Sequence, residues 1–160
     1  MANPKDEVYS EPMPSIEAFR FDQSVADVFE DMIERSVPGY GLVLQLIGVL
    51  AEKYGQTGTR AYDLGCSLGA STLQLRRHLQ EGCHVVGVDN SEAMVSRCKA
   101  NLSRDHSANS YEILLEDLRE TNIENASIVI LNFTLQFVPD EERKNILARI
   151  CLHLFALQLP

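Results

Sequence analysis

The stretch Tyr62–Ser71, with the sequence YDLGCSLGAS, holds the residues of this chain that are best placed for chemistry. An apolar run ends there in Asp63, is followed by Gly65 and Gly69, and leads directly into a helical pattern. Glycine has no Cβ, so backbone at such a position can come close to a ligand. Ligands of parallel α/β sheets bind beyond the carboxyl ends of the strands. The stretch therefore predicts a ligand-binding turn between a strand and a helix.

Polar residues follow three later strand-like segments at the same position. Asp89 lies about two dozen residues after the glycine turn and is typical of the acid that accepts hydrogen bonds from a ribose hydroxyl pair. Asp117 and Leu118 indicate an acceptor for a purine amine beside an apolar edge, and Asn132 ends the fourth strand. Structural alternatives stay open, since Asp89 could cap the next helix, Asn90 could form an Asx turn and Asn132 could cap its strand.

The run Gly65–Ala70 departs from the G-x-G-x-x-G pattern of dinucleotide sites, because Ser67 stands where the second glycine lets a pyrophosphate approach. S-adenosylmethionine carries no phosphate and tolerates a serine there. Its sites also favour an acid just before the turn, which Asp63 supplies. The pattern therefore favours S-adenosylmethionine over NAD. Cys66 is interpreted as a small packing residue, since no histidine is placed to activate its thiol.

Alternating strands and helices must position these residues. The apolar pattern predicts strands at 60–65, 84–89, 110–117 and 126–133, and helices at 70–80, 91–102 and 140–150. Two further helices precede them, one from Ser24 to the break at Pro38 and one from about Gly41 to Tyr54. Such alternation is typical of βαβ units and a parallel sheet. We therefore expect effectively one α/β domain, with an arm and helices at 1–57, a cofactor-binding core at 58–150 and an atypical tail at 151–160.

The composition is that of an ordinary globular protein with an acidic surface. The 160 residues carry a formal net charge of -9, whereas nucleic-acid surfaces need a basic stripe, so direct binding of nucleic acid is not expected. The cysteines and histidines lack metal-ligand spacing, and no metal site is expected. The polar N-terminus does not match a signal peptide and no apolar run is long enough for a bilayer, so we expect no membrane. The scattered cysteines suggest reduced thiols, so we expect a cytoplasmic location.

Four segments carry a family resemblance: RSVPGY at 35–40, YDLGCSLGASTL at 62–73, VDNSEAM at 88–94 and IENASIVILNFTLQF at 123–137. With these segments the chain resembles the carboxy-S-adenosyl-L-methionine synthases, from about residue 8 to residue 150. They are class I S-adenosylmethionine-dependent methyltransferase-like proteins. The resemblance implies a Rossmann-like S-adenosylmethionine-dependent methyltransferase fold, with a partial parallel sheet and an N-terminal helical segment.

The resemblance also implies an activity and a site. The family converts S-adenosyl-L-methionine and prephenate to carboxy-S-adenosyl-L-methionine and phenylpyruvate, and a tRNA carboxymethyltransferase uses the product to modify a wobble uridine. A cytoplasmic, homodimeric transferase with a small-molecule substrate and no metal is therefore implied, and its catalytic residues stay unassigned. Nine positions match cofactor binding: Tyr40, Gly65, Cys66, Ser67, Asp89, Asn90, Asp117, Leu118 and Asn132. Tyr40 lies in the VPGY turn, which could close over the methionine end of the cofactor.

The last residues depart from the family pattern. After Ile150 the family continues through a Pro-Gly-Gly turn into a fifth strand, and later into a helical lid with an arginine for the carboxylate, whereas this chain reads CLHLFALQLP. A C-terminal truncation that impairs activity is therefore expected. The fourth strand would then be an apolar sheet edge, which the tail could cover unless it extends the last helix. Two other functions stay open: an S-adenosylmethionine-dependent methyltransferase of a small molecule, and a non-catalytic cofactor-binding fragment.

Overall fold

The computed structural model describes residues 23–154, so the predicted arm at 1–22 and the tail residues 155–160 lie outside the described residues. The described chain begins with two helices, α1 (Gln23–Ser36) and α2 (Tyr40–Tyr54). Strands and helices then follow as β1 (Arg60–Leu64), α3 (Ala70–His78), β2 (His84–Asp89), α4 (Glu92–Leu102), β3 (Ser110–Leu115), β4 (Ala126–Ile130) and α5 (Asp140–His153). A single 3₁₀ turn, Leu135–Phe137, lies between β4 and α5. Within this part of the chain, no helix has the length and apolar character needed to cross a membrane.

The strands form one four-stranded parallel sheet in the order β3-β2-β1-β4. This confirms the predicted α/β fold with a partial parallel sheet. β1 lies in the interior of the sheet and is buried from Ala61 to Leu64, as expected of a strand that is covered on both faces. Leu64 pairs with Val88 in the parallel register of β1 and β2. The glycine turn and Asp89 therefore meet at the same edge of the sheet.

Helices cover both faces of this sheet. On one face, α2 and α3 pack against β1 and β2 through an apolar cluster that includes Ile47, Leu75 and Val85. On the other face, α5 packs against a cluster that includes Tyr62 and Val86. α4 packs against β2 and β3, and α1 packs against α4. The helices leave the carboxyl ends of the strands accessible, with α1 and α2 beside them.

Two strands end two or more residues earlier than the apolar pattern predicts. β3 ends at Leu115, and β4 ends at Ile130 although the apolar run continues to Phe133. Phe133 has a φ of 57°, in the left-handed region that an extended strand does not use. Leu131 still packs against the apolar cluster under α5, which explains why the sequence stays apolar beyond the strand. The segment after β4 therefore turns across the strand ends.

The last helix runs further than predicted. α5 continues past Ile150 to His153, so the first tail residues extend the helix. Leu154 then forms one parallel bridge with Ala126 at the start of β4. β1 pairs with one edge of β4. Within residues 23–154, the bridge between Leu154 and Ala126 is the pairing on the other edge of β4. The limits assigned to the N-terminal segment, the core and the tail stay predictions.

Candidate functional site

A cavity of about 750 Å³ opens at the carboxyl ends of the strands. Its wall combines the turns after β1, β2 and β3, the segment after β4, and sides of α1 and α2. All nine residues that the resemblance matches to cofactor binding line it: Tyr40, Gly65, Cys66, Ser67, Asp89, Asn90, Asp117, Leu118 and Asn132. The structure thus brings together residues from separate parts of the chain, and their contact with a ligand stays a prediction.

The turn after β1 requires glycine at position 65 for two reasons. The φ of Gly65 is 86°, in the left-handed region where a side chain is strained. A Cβ there would also lie 2.5 Å from Oγ1 and Cγ2 of Thr134. Thr134 is held in place because its hydroxyl donates a 2.8 Å hydrogen bond to the backbone oxygen of Leu64. Gly65 therefore allows the turn to pack against the segment after β4, a contact that the local sequence does not indicate.

Gly69 has a packing role that its spacing in the sequence does not indicate. A Cβ on Gly69 would lie 2.7 Å from Sγ of Cys98 and 2.7 Å from Cδ1 of Leu102, both on α4. The described residues that line the cavity do not include Gly69. This glycine lets the start of α3 pack closely against α4. That Gly69 also brings backbone close to a ligand stays a prediction.

Asp89 joins the glycine turn to the end of β2. Its Oδ2 accepts a 2.9 Å hydrogen bond from the backbone N–H of Ser67, and its Oδ1 accepts one of 2.9 Å from the N–H of Ser91. The side chain that caps α4 is Ser91, whose hydroxyl accepts from the N–H of Met94. The alternative that Asp89 caps this helix is therefore wrong. Burial raises the pKa of Asp89 despite these two donors and the backbone N–H of Asn90. A carboxylate offers about four lone pairs, so one is left for a ligand hydroxyl.

Asp63 lies beneath the turn and is fully buried. Its Oδ2 accepts a 2.6 Å hydrogen bond from the hydroxyl of Thr72 in the first turn of α3. Its Oδ1 has no hydrogen-bond partner among the described residues. Burial, with a smaller contribution from the charge of Asp89, raises the pKa of Asp63 to about 6, although the bond from Thr72 opposes this rise. Asp63 therefore ties β1 to α3 and keeps one buried oxygen without a donor.

A charged cluster lies at the β3 end of the cavity. Nε of Arg119 donates to both oxygens of Asp117, at 2.9 and 3.0 Å, and Nη1 donates to both oxygens of Glu142, at 3.2 and 3.1 Å. The hydrogen bonds from Arg119 lower the pKa of Asp117. Arg149 donates to the backbone oxygens of Leu118 and Arg119 and so fixes the same loop. A ligand amine at Asp117 would therefore meet an ionised carboxylate that is already oriented.

Arg119 is the functional candidate that sequence reasoning missed. Among the described residues that line the cavity, it is the one Arg, Lys or His side chain. The available signal was a basic residue two positions after the strand-end acid Asp117. Its second partner, Glu142, lies in the acidic first turn of α5, and only the fold brings that turn to the cavity.

An aromatic and apolar wall faces the strand ends. Tyr40 begins α2, and its ring lies 6.3 Å from that of Phe133, centroid to centroid. Burial, with contributions from Asp63 and the α1 acids, raises the pKa of Tyr40 to about 12, so its hydroxyl stays protonated. Phe29 and Ile33 of α1 extend this wall. The sequence analysis predicted the helix that carries these two residues but did not connect that helix with the site.

Protein contacts fix two further predicted residues. Sγ of Cys66 lies 4.0 Å from Sγ of Cys98, and this contact together with burial raises the pKa of the Cys66 thiol. A buried thiol of raised pKa is a weak nucleophile, which agrees with the interpretation of Cys66 as a packing residue. Nδ2 of Asn132 donates a 3.1 Å hydrogen bond to Oγ of Ser71 and so ties the end of β4 to α3. Residues 23–154 contain no group of three His, Cys, Asp or Glu side chains that could hold a metal ion.

The charge of the wall restricts the ligands that it suits. Its carboxylates come from α1 and from the turns after β2 and β3, and in the described wall Arg119 alone opposes them. Carboxylates accept hydrogen bonds from hydroxyl and amino groups and attract a positive centre. The wall therefore suits a ligand with a diol, an amine and a positive charge better than it suits a phosphate.

Comparison with known proteins gives relatives for this arrangement. The family model described as "Methyltransferase domain" matches residues 61–155. The chain is 51% identical over 149 residues to the carboxy-S-adenosyl-L-methionine synthase of Vibrio cholerae serotype O1 (strain ATCC 39541 / Classical Ogawa 395 / O395), a match that covers 92% of this chain and 61% of that protein. It is 49% identical over 160 residues to the synthase of the same name from Hahella chejuensis (strain KCTC 2396), covering 96% of this chain and 64% of that protein. The chain thus spans about three fifths of the length of these relatives.

A solved structure matches the fold. The crystal structure of magnesium protoporphyrin IX methyltransferase (ChlM) from Synechocystis PCC 6803 with bound SAH superposes with a TM-score of 0.62 at 22% identity, covering 79% of this chain and 56% of that one. At this level of identity the likeness shows the fold alone, and it confirms the expected Rossmann-like methyltransferase fold. Since the family model also covers more than half of the sequence, this chain belongs to the methyltransferase domain family.

Proposed function

We propose that this chain forms the S-adenosyl-L-methionine site of a carboxy-S-adenosyl-L-methionine synthase. The observation that carries the proposal is the 2.9 Å hydrogen bond between the Ser67 N–H and Asp89, at the rim of a cavity that Asp117 and Leu118 also line. Asp89 and Asp117 thus lie on one wall, which supports the proposed roles of the first as acceptor for a diol and of the second as acceptor for an amine. Relatives that share about half of the residues carry the synthase name.

The adenosine part fits the turns after β2 and β3. In the proposed pose Asp89 accepts from the ribose hydroxyls, with Asn90 beside it. Asp117, which already accepts from the side chain and backbone of Arg119, accepts in addition from the purine amine, and Leu118 packs on the ring edge. Arg119 and Arg149 hold this loop in one geometry, which lowers the entropy that the loop loses on binding.

The methionine part fits the glycine turn. Backbone at Gly65, Cys66 and Ser67 lies on the cavity wall, where Gly65 presents no side chain. The bound cofactor would supply an activated methyl group next to a positive sulfur. The acidic wall suits that positive charge, and Tyr40 and Phe133 cover the same end and exclude water from it. Asn132 completes the proposed set of nine cofactor-binding residues.

The proposed second substrate is prephenate, which would supply the transferred carboxyl group, lose its ring hydroxyl as water as the ring becomes aromatic, and be released as phenylpyruvate. The apolar wall of α1, with Phe133 and Phe137, offers a surface for its ring. Its carboxylates need a cation or donors, and Arg119 is the cation that the described wall offers. A homodimer, a cytoplasmic location and a functional link to a tRNA carboxymethyltransferase belong to the same proposal and rest on the resemblance.

Calorimetry with the purified 160-residue chain tests the proposal. We expect S-adenosyl-L-methionine to bind, with NAD as the matched control that does not bind, since the turn lacks the glycine that admits a pyrophosphate. Binding of both ligands, or of neither, would contradict the assignment of the site.

A second candidate, methylation of a small molecule, is favoured by the methyltransferase domain match. Mass spectrometry of the ligand that co-purifies with the chain separates the two. A carboxylated cofactor is heavier than S-adenosyl-L-methionine by the mass of CO₂, whereas a methyltransferase leaves the demethylated product.

A further inference from the structure

Glu116 lies in the cavity wall next to Asp117 and has no role in the site as described so far. It is the first residue after β3, and it lines the same wall as Asp117 and Leu118. Its backbone N–H donates a 3.0 Å hydrogen bond to the backbone oxygen of Asp89, which holds the backbone of Glu116 beside the end of β2. Glu116 is therefore fixed between the proposed ribose acceptor and the proposed purine acceptor.

The carboxylate of Glu116 has only one weak partner among the described residues. Its Oε2 accepts a hydrogen bond from the hydroxyl of Thr121 at the long distance of 3.5 Å. The same hydroxyl lies closer to the backbone oxygen of Asp117, at 3.2 Å, and a hydroxyl has a single proton to donate. Within residues 23–154, no ion pair includes Glu116. This carboxylate is thus available to a ligand.

The cation of the described wall is directed to other carboxylates. All three guanidinium nitrogens of Arg119 donate to Asp117 or to Glu142. The negative charge of Glu116 therefore stays without a paired cation in this part of the chain. A hydrogen-bond donor of a ligand would be attracted to Glu116, whereas an acceptor of a ligand would be repelled.

We propose that Glu116 is a second acceptor at the purine edge and selects a 6-aminopurine over a 6-oxopurine. This role rests on the proposed function, in which Asp117 accepts from the purine amine. The amine of adenine has two N–H groups, so two neighbouring carboxylates can each accept one of them. A 6-oxopurine has an acceptor oxygen at that position, which two carboxylates would repel and leave without a donor.

A purely structural role for Glu116 would be to hold the loop after β3 through its bond from Thr121. The distances argue against this role, because shorter bonds already hold that loop. The backbone N–H groups of Glu120 and Thr121 donate to the backbone oxygen of Asp117 at 2.9 and 3.2 Å. Arg149 donates to two further backbone oxygens of the loop. The geometry of the loop therefore does not depend on the Glu116 side chain.

Calorimetry with S-adenosyl-L-homocysteine and S-inosyl-L-homocysteine tests this role. The two ligands differ only at the purine, where an oxygen replaces the amine and the neighbouring ring nitrogen gains a proton. We expect the parent to bind the adenosyl ligand more tightly, on the order of a hundredfold. Glu116→Gln should lower this preference about tenfold, because the glutamine amide can donate to the purine oxygen.

The matched control is Glu120→Gln, which removes an exposed acid of the same loop outside the cavity wall. It should leave the preference for the adenosyl ligand at the parent value. Glu116→Ala covers the case in which Glu116→Gln does not fold, and circular dichroism checks both variants. Since alanine also removes the second carboxylate, the preference should fall again.

Three results would overturn the selecting role of Glu116 and leave the proposed function in place. They are a parent without a preference, a folded variant that keeps the parent preference even if both affinities change equally, and an equal fall in Glu120→Gln. Loss of the fold in both Glu116 variants would overturn it too, because the side chain would then belong to the framework. If the parent binds neither ligand, the role is overturned, and binding of S-adenosyl-L-methionine decides whether the proposed function is overturned with it.

Discussion

The backbone N–H of Ser67 and the Oδ2 atom of Asp89 are joined by a 2.9 Å hydrogen bond that links the turn after β1 to the end of β2. The acid assigned to ribose binding is therefore also part of the framework of the glycine turn. Ser67 itself has a φ of 48°, which is uncommon for a residue with a side chain. The bond to Asp89 compensates for this conformation and holds the turn ready for a ligand.

Asp89→Ala should weaken the binding of S-adenosyl-L-methionine by about 1–3 kcal/mol, because the ribose hydroxyls lose their acceptor and the Ser67 N–H loses its own. Isothermal calorimetry measures the affinity, and circular dichroism checks the fold. Glu81→Ala removes an exposed acid outside the cavity wall and is the matched control. An Asp89→Ala chain that is folded and binds as tightly as the parent would refute the assignment.

Arg119→Met should raise the pKa of Asp117 toward that of an ordinary aspartate, because the hydrogen bonds from Arg119 are the main cause of its depression. NMR titration of the Asp117 carboxyl carbon reads this directly. A carboxyl group whose pKa is lower in the folded state than in the unfolded state stabilises the fold at pH values above its unfolded-state pKa. This stabilisation is lost as the pH falls through its folded-state pKa. The variant should therefore lose less stability than the parent on acidification.

The control for this prediction is Arg35→Met, which removes an arginine paired with Asp31 at 3.2 Å and leaves the cavity wall intact. It should leave the titration of Asp117 unchanged. Equal titration curves for Asp117 in the parent and in Arg119→Met would show that groups other than Arg119 lower the pKa of Asp117.

The pH dependence of stability should carry a contribution from Asp63. Its folded pKa of about 6 exceeds its usual value of 3.8, so the folded chain binds this proton more tightly than the unfolded chain. The resulting stability is fully present below pH 3.8 and is lost as the pH rises through about 6. The loss amounts to about 3 kcal/mol at neutral pH, since one pKa unit corresponds to about 1.4 kcal/mol.

Asp63→Asn removes this titration and keeps an acceptor for Thr72. Urea unfolding across the acid range should show the variant gaining stability relative to the parent as the pH rises. Asp105→Asn is a control of opposite sign, because hydrogen bonds from Ser107 and Arg77 outweigh the effect of burial and lower the pKa of Asp105. If the free energies of unfolding of Asp63→Asn and the parent differ by the same amount at every pH, the pKa of Asp63 is not raised in the folded chain.

The sequence predicts those features that short-range patterns determine. The apolar period locates all four strands, and the position of Asp89 after a strand places it at the rim, since parallel strands end together. It does not predict that Gly69 faces Cys98, because that contact depends on how α3 crosses α4. The sequence also does not predict that β4 ends before Phe133, because the apolar side chain of Phe133 suits a strand. Only the backbone φ of Phe133 shows that the strand has ended.

Long-range charge pairing is the second feature that the sequence leaves open. Arg119 could meet any of several acids, and the fold selects Asp117 and Glu142 by bringing the start of α5 to the end of β3. The nine positions matched by resemblance carried no such information about their partners. They converge on one cavity because the strands are parallel and end together. The pairing of Arg119 with Asp117 and Glu142 does not follow from that arrangement.

Gly65→Ala should destabilise the chain by about 2 kcal/mol or more, because a left-handed φ costs a side chain about 1–2 kcal/mol and the new Cβ would meet Thr134 at 2.5 Å. A double-mutant cycle with Thr134→Ala separates the two causes. The double variant should be more stable than the sum of the single changes predicts, since the shorter side chain relieves the contact. Strict additivity in urea unfolding would show that the contact does not limit the turn.

The 160-residue chain alone should bind S-adenosyl-L-methionine without turning over prephenate. A carboxylate that forms next to the cofactor needs a preorganised cation or donor set, and removing a single such donor typically costs about two to three orders of magnitude in rate. In the described wall that cation is Arg119, and Asp117 and Glu142 already hold it. Freeing it would separate an arginine from two carboxylates.

The test is incubation with S-adenosyl-L-methionine and prephenate, followed by mass detection of the carboxylated cofactor and of phenylpyruvate. Heat-treated chain serves as the control for the spontaneous breakdown of prephenate. Multiple turnovers would contradict the prediction and would show that these 160 residues, with Arg119 among them, are sufficient for the transfer.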